Sequence, residues 1–428
     1  MPLNIGIAGL GTVGGGVARL LLEQAELLGQ RCGRDLRLAA VSARNRSRGR
    51  GFDLSPYRWH DNPVDLAQDP EVDVVVELIG GEDGPAKAVL ESAIASGKHV
   101  VTANKALIAR HGTRLAEAAE EAGVALNFEA AVAGGIPIVK ALREGLAANR
   151  FPRIYGILNG TCNYILTTME ETGRDFEEVL REAQELGYAE ADPSFDIDGI
   201  DAAHKLAILA SLAYGCPVNF DAVHIEGIRP VSAVDIEYAA QLGYRIKLLA
   251  IARPTVHGIE QRVHPCMVPL GTPIATVKGV FNAVVAEGDF VDRTVFEGRG
   301  AGAGPTASAV IADIVDIARG IRVPAFSVPA ATLTPIPPSP MDRHVGPYYI
   351  RLSVLDQPGV IAEIAAILRD EAISIESMLQ RSRAPGEAVP VVLITHETEE
   401  AAMSRALQKI GRIDPVQEPP TMIRIELL

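Results

Sequence analysis

The sequence predicts an α/β fold in three parts, and three observations carry that prediction. Short apolar runs alternate with helical patterns over the first 135 residues. A glycine triplet, Gly9-Leu-Gly11-Thr-Val-Gly14, directly follows the first run. The C-terminal stretch repeats strand and helix in the order βαββαβ. Together they predict a Rossmann-type dinucleotide-binding domain at 1–135, an α+β domain at 136–320, and a ferredoxin-like module at 349–428.

The elements follow in order. Residues 3–8, "LNIGIA", form a strand that ends in "GLGTVGGG", and "VARLLLEQAELLG" continues as a helix. Further strands are expected at 36–45 ("LRLAAVSARN"), 72–80 ("VDVVVELIG"), 97–104 ("GKHVVTAN") and 124–132 ("VALNFEAAV"), with helices around 84–96 and 112–123. Strands alternating with helices indicate a parallel sheet covered on both faces. In the middle part, "FEEVLREAQELG" has helical spacing and a glycine stop. "RIKLLAIAR" and "EQRVHPCMV" read as neighbouring strands. "PTASAVIADIVDIARG" reads as a helix with Pro305 in its first turn and Gly320 at its end; part of 300–320 is expected to close the first domain. Residues 321–348 hold seven prolines, including "PIPPSP", and read as a semi-rigid linker.

Composition narrows the function. With 48% hydrophobic residues among 428, the chain can build real cores. A formal net charge of −14 opposes a nucleic-acid partner, which needs a basic surface. Cys32, Cys162, Cys216 and Cys266 form no CxxC pair, as expected in a reducing cytosol. The N-terminus, "MPLNIGIAGLG", lacks the basic start of a signal peptide, and no apolar run is long enough to span a bilayer. The expectation is a cytoplasmic protein.

The glycine triplet has mechanical reasons behind it. Its residues Gly9, Leu10, Gly11, Thr12, Val13 and Gly14 sit between strand and helix. There the glycines allow a tight turn, close approach to a pyrophosphate and close helix–strand packing. The second strand ends in "VSARNRSRGR" without the acid that would bind a ribose 2′-hydroxyl. Its cations suit a 2′-phosphate, with Arg44 nearest, so NADP(H) is favoured over NAD(H).

Two lysines mark a reaction centre. Lys105 follows the C-terminal end of a strand, where ligands bind in parallel sheets. Lys205 lies four residues after Asp201, on the same helix face. Glu190, Asp196 and Asp198 crowd the approach to that helix. Acids near a helix start are also ordinary dipole stabilisers, but that does not explain a cluster leading to a lysine. An acid cage suits a substrate with an ammonium group, and a lysine could exchange a proton with a carbonyl or hydroxyl oxygen. This describes a small amino acid with an aldehyde or alcohol side chain. Cys162 reads as a buried hydrophobe and His204 as a packing residue.

The blocks "GLGTVGGGV", "TANKALIA", "EAAVAGGIPIV", "GILNGTCNYIL", "LGYAEADPSFDIDGIDAAHKLAIL" and "GRGAGAGPTASAVIADI" together resemble homoserine dehydrogenase over residues 1–320, and "VLDQPGVIAEIAAIL" resembles an ACT domain. The resemblance implies reversible NAD(P)-dependent interconversion of L-homoserine and L-aspartate 4-semialdehyde, on the route to threonine, isoleucine and methionine. It implies that Lys205 is the acid/base lysine and Lys105 a second lysine near nicotinamide and substrate, with Asp201 orienting Lys205. It further implies a substrate shell of Glu190, Asp196, Gly160, Thr161 and Tyr188, and Gly304 near the cofactor. Main-chain oxygens of Glu129, Val132, Gly134 and Ile136 would hold a monovalent cation, Na+ or K+. The resemblance also makes 136–320 the substrate-binding and dimerisation domain; the ACT module would take an amino-acid effector, threonine, and the assembly would be a homodimer through the middle domain or a homotetramer with ACT pairing. Another amino-acid dehydrogenase and a non-catalytic nucleotide and amino-acid sensor are the alternatives.

Overall fold

The computed structural model describes residues 1–380, 384 and 386–428. Its N-terminal sheet has six parallel strands: β1 (Leu3–Ala8), β2 (Leu36–Ser42), β3 (Arg58–His60), β4 (Val74–Glu77), β5 (His99–Thr102) and β6 (Leu126–Asn127). Their order is β3-β2-β1-β4-β5-β6, so the connections reverse direction between β1 and β4. That reversal opens a crevice at the carboxyl ends of the strands, where dinucleotides bind in such sheets. Val74, Val75 and Val76 are completely buried, as a strand covered on both faces requires. The short β3 lacks an alternating pattern and was not expected. The strand expected over 124–132 shrinks to β6, because a short 3-10 turn, Glu129–Ala131, follows it. That turn directs the Glu129 side chain inward, where its carboxylate accepts the N–H groups of Val139 and Lys140.

The helix Ala303–Ala318 returns to this domain and packs on the helix Thr12–Glu23. Their contact is close: a side chain on Gly16 would put its Cβ 3.0 Å from the Ala303 carbonyl oxygen.

The second sheet is built from β7 (Arg153–Ile157), β8 (His224–Ile225), β9 (Tyr244–Thr255), β10 (Gly258–Pro269), β11 (Phe281–Gly288) and β12 (Asp292–Arg299). As expected, β9 and β10 are antiparallel neighbours. The C-terminal part adds β13 (Val345–Gly346), β14 (Tyr348–Leu355), β15 (Ile375–Leu379), β16 (Ala388–Thr395), β17 (Thr398–Glu399) and β18 (Thr421–Ile425), with helices Val360–Asp370 and Glu400–Ile410. Its four main strands run in the order β18-β14-β16-β15 with both helices between strands, the ferredoxin-like arrangement.

This module does not hang free. Strand β18 also pairs parallel to β10, Arg424 opposite Cys266 and Ile425 opposite Met267, so one sheet runs from β12 to β15. The proline-rich stretch, read as a spacer, is fastened along the body. The Phe326 ring lies 5.2 Å from that of Phe128. Ile259 donates its N–H to the Pro337 carbonyl and accepts from Ser339. Prolines hold much of the strap extended, with short 3-10 turns at Ala330–Thr332 and Met341–Arg343; apolar side chains and backbone hydrogen bonds to β10 together supply the anchorage. Among the described residues, no helix is long and apolar enough to cross a membrane.

Candidate active site

The glycine-rich turn behaves as its spacing demands. Gly9 adopts φ +105°, and a Cβ on Gly14 would lie 1.9 Å from the Gly9 carbonyl oxygen. Only glycine permits this approach of helix to strand. A groove of about 640 Å³ opens beside it, lined by Gly9, Leu10, Gly11, Arg44, Arg48 and Arg50 among others. These arginines are not equivalent. Arg50 is spent on structure: it donates to the carbonyls of Leu10, Asn45 and Arg48. Arg46 and Arg50 lie 5.5 and 5.7 Å from the Trp59 ring centre. Arg44 and Arg48 line the groove and, among the described residues, have no such ties to the backbone.

Glu77, at the end of β4, was not singled out in the sequence. It is completely buried. Its carboxylate accepts the N–H groups of Ile79 and Gly80 and the Thr102 hydroxyl, which shapes the loop at the strand ends where a cofactor would lie.

A second cavity, about 580 Å³, lies between the two sheets. It is lined by Val13, Ala103, Lys105, Gly134, Gly160, Thr161, Tyr188, Glu190, Asp196, Asp201 and Lys205, with Asn282 and the segment Arg299–Gly302. Lys105 starts the helix Lys105–Glu121 of the first domain. Lys205 and Asp201 belong to the helix Ile200–Tyr214 of the second. The two lysines meet on one carboxylate: Lys105 Nζ is 2.9 Å from Asp201 Oδ1, and Lys205 Nζ is 2.6 Å from Asp201 Oδ2. Lys205 also donates to the Leu158 carbonyl at 2.7 Å.

Asn159 completes this centre, although the sequence reading passed over it. Its side-chain oxygen caps the helix Gly160–Thr172 by accepting the Cys162 N–H. Its amide nitrogen donates to Asp196 and Asp201, at 2.8 Å each. An asparagine just before a helix signals a cap; nothing local signals the two carboxylates it would hold. Thr161 donates to the Tyr188 carbonyl and, at 3.3 Å, to Asp196. Gly160 sits against the Val280 carbonyl, 2.7 Å from where a Cβ would be.

Electrostatics separate the partners. Burial works against the Asp201 charge, but Lys205 and Lys105 overcome it and hold its carboxyl well below the usual range. Burial and then the Asp201 charge push Asp196 up. The lysines move apart. Lys205 falls below the ordinary lysine value because burial, assisted by Lys105, outweighs Asp201. Lys105 is also penalised by burial, yet Asp201, Asp196 and Glu190 lift it above that value. A pair pushed in opposite directions divides acid/base work between its members.

Other sequence candidates lie elsewhere. Asp198 points away and pairs with Arg229 at 2.5 Å. Gly304 lines a separate groove between the helices Thr12–Glu23 and Ala303–Ala318, while Gly302 and Thr306 reach the cavity. Cys162 is buried with its pKa well above the ordinary value, so it is inert as a nucleophile. His204 stacks on Phe220 at 4.2 Å.

Residues 129–136 curl at the cavity edge. Ala133 and Gly134 both adopt φ 54°. Among the described residues, no N–H donates to the Val132 or Gly134 carbonyl, whereas the Glu129 carbonyl accepts from Val132 at 3.4 Å and the Ile136 carbonyl from Ile138 at 2.8 Å. Main-chain oxygens left without donors fit a hard monovalent cation.

A dinucleotide-type crevice adjoining a cavity where two lysines share one carboxylate is the arrangement of a nucleotide-dependent oxidoreductase, here extended by a ferredoxin-like module. Family models carry this further: homoserine dehydrogenase matches residues 137–315, its NAD-binding domain matches 9–129, and the ACT domain matches 348–413. The chain belongs to the homoserine dehydrogenase family. It is 48% identical to the homoserine dehydrogenase of Neisseria gonorrhoeae, covering 100% of this chain and 99% of that one. Against the enzyme of Pseudomonas aeruginosa the identity is 47%, with the same coverage. A crystal structure of the homoserine dehydrogenase from Thiobacillus denitrificans superposes with a TM-score of 0.94 at 48% identity, over 100% of this chain and 98% of that one. A hyperthermophilic archaeal homoserine dehydrogenase in complex with NADPH superposes with a TM-score of 0.64 at 27% identity, over 75% of this chain and 99% of that one.

Proposed function

We propose that this homoserine dehydrogenase uses NADP(H) in preference to NAD(H), with Lys205 as its acid/base group. The observation that carries the assignment is the meeting of Lys105 and Lys205 on the two oxygens of Asp201. In the oxidising direction a nicotinamide bound in the crevice would supply the hydride acceptor for the carbinol carbon of L-homoserine. Lys205, its pKa lowered by burial, takes the hydroxyl proton as the carbonyl forms; in reverse it returns that proton. Lys105 remains an ammonium and polarises the same oxygen. Asp201 orients both nitrogens. Asp196, Glu190 and Thr161 receive the substrate ammonium and main-chain end, with Gly160 and Tyr188 forming the walls. The other amino-acid dehydrogenase and the sensor find no support in these features.

Arg44, with Arg48 beside it, supports a site for the 2′-phosphate, and the NADPH-bound archaeal relative agrees with that choice. The carbonyls of Glu129, Val132, Gly134 and Ile136 would hold Na+ or K+, tying the loop to the cavity. The ACT module would bind threonine, and the working form would be a cytoplasmic homodimer or homotetramer on the route to threonine, isoleucine and methionine. The domain limits 1–135, 136–320 and 349–428 describe these roles.

A spectrophotometric assay with L-homoserine and each nucleotide tests the reading. NADP+ reduction should exceed NAD+ reduction by at least about tenfold in kcat/KM, about 1.4 kcal/mol of differential binding. No homoserine-dependent reduction of either nucleotide would reject it.

A further inference from the structure

One arginine joins the C-terminal module to the acid cage. Arg424 lies on β18, the strand shared between β10 and β14, and is buried. Its guanidinium forks two carboxylates. On one side it donates to Glu400, the first residue of the helix Glu400–Ile410, through Nε at 2.9 Å. On the other it donates to both oxygens of Glu226, each at 2.8 Å. Glu226 belongs to the catalytic domain, just after β8, and also contacts His224 at 2.7 Å. Bidentate arginine–carboxylate pairs of this kind fix orientation as well as add energy.

The backbone around Glu226 lies directly under the turn that carries the cage. The Glu226 N–H is held by the Val263 carbonyl, and Ile228 donates to Ile197. Gly227 is so close that a Cβ there would meet the Ile197 carbonyl at 2.3 Å and the Asp198 Cα at 2.6 Å. Gly199, left-handed at φ +86°, would put a Cβ 3.1 Å from Ile225 and 3.4 Å from the Glu226 carbonyl. Asp196 precedes this contact by one residue and Asp201 follows Gly199 by two. No slack separates the segment 225–228 from the turn 197–199, because packed backbones transmit displacement rather than absorb it.

We propose that Glu226 and Arg424 are positioning residues for the turn 196–201, so that the seating of the C-terminal module sets the affinity for the amino-acid substrate. The proposal rests on the reading of Asp196 and Asp201 as the substrate cage. Its sign is definite. Removing the Glu226 carboxylate frees the segment 225–228 from β18, loosens the turn and weakens substrate binding. The nucleotide groove, built from β1, β2 and β4, is left alone.

The test measures KM for L-homoserine, KM for NADP+ and kcat in the full chain for wild type, Glu226→Ala, Glu226→Gln, Glu226→Asp and Glu400→Gln. The last variant strips the other carboxylate from the same arginine without touching the segment under the turn. Glu226→Ala and Glu226→Gln should raise KM for L-homoserine by at least about fivefold, the low end of coupling between linked sites. KM for NADP+ should stay within about twofold, and Glu226→Asp should recover part of the loss. Glu400→Gln should leave the homoserine KM within about twofold, even if its melting temperature falls. If Glu226→Ala does not fold, Glu226→Gln reads the same quantity. An unchanged homoserine KM in a folded Glu226 variant overturns the proposal. So does an equal rise in Glu400→Gln, which would mean general loosening. Wild-type turnover of L-homoserine in the same plate tests the functional reading separately.

Discussion

Asp201→Asn is the sharpest perturbation of the proposed centre, because it keeps shape and removes charge. Three donors converge on Asp201: Lys105 on one oxygen at 2.9 Å, and Lys205 at 2.6 Å with Asn159 at 2.8 Å on the other. An asparagine offers one oxygen and one N–H2 group. With its oxygen toward Lys205, Lys105 faces donors; with its oxygen toward Lys105, both Lys205 and Asn159 do. Either way a buried ammonium loses its partner. Breaking a buried pair on one side costs about 3–5 kcal/mol. Lys105 keeps some solvent access, so the lower end applies. That cost falls on folding; on turnover, a misplaced acid/base group forfeits about 10²–10⁴, so kcat/KM for L-homoserine should fall by about 10²–10³. The pH profile should move as well. Asp201 raises the Lys205 pKa, while burial and Lys105 lower it. Without the carboxylate the lysine loses its proton more readily, so the rising limb of homoserine oxidation moves to lower pH. The assay is initial-rate nucleotide reduction across pH, with nucleotide binding measured alongside. A variant within about tenfold of wild type, with an unmoved limb, would refute the reasoning.

Two other predictions concern the cofactor and stability. Arg44→Ala should raise KM for NADP+ by about 10–100-fold, the value of one charge-assisted hydrogen bond of about 1.5–3 kcal/mol. KM for NAD+ should stay within about twofold in the same kinetic comparison. His204 is buried, and that burial lowers its pKa to about 4 from an ordinary 6.5. A histidine depressed in the folded state contributes stability present above pH 6.5, which is lost as pH falls toward 4. Urea titrations should show wild type losing unfolding free energy across that window while His204→Phe, which keeps the stacking on Phe220, loses less.

The legible parts of this chain were those with local chemistry. Gly9 and Gly14 announce a turn because no other residue fits there, and the alternation of strand and helix announces a parallel sheet. Lys105 and Lys205 stood out by position after a strand and beside Asp201. Their convergence was an expectation that only the packing of two domains could express. Asn159 escaped because its two carboxylate contacts span 37 and 42 residues of chain. Glu77 escaped because a buried acid holding backbone N–H groups looks like any strand-end acid. The pairing of β18 with β10 was illegible for a related reason: "TMIRI" reads as a strand, but nothing within it specifies a second neighbour in another domain. The stretch 321–348 was legible as extended and not as docked, since proline content sets backbone shape and tertiary slots decide where it lies. The direction of the Lys205 shift depended on burial against neighbouring charge, which needs coordinates.

The most direct test of the reaction centre is Lys205→Met, a change of similar length without an ionisable nitrogen. Homoserine-dependent nucleotide reduction and nucleotide binding should be measured on the same preparation. The proposed centre predicts a fall in kcat of about 10²–10⁴, the usual contribution of a positioned acid/base group, with nucleotide affinity unchanged. Wild-type turnover in this variant would contradict it.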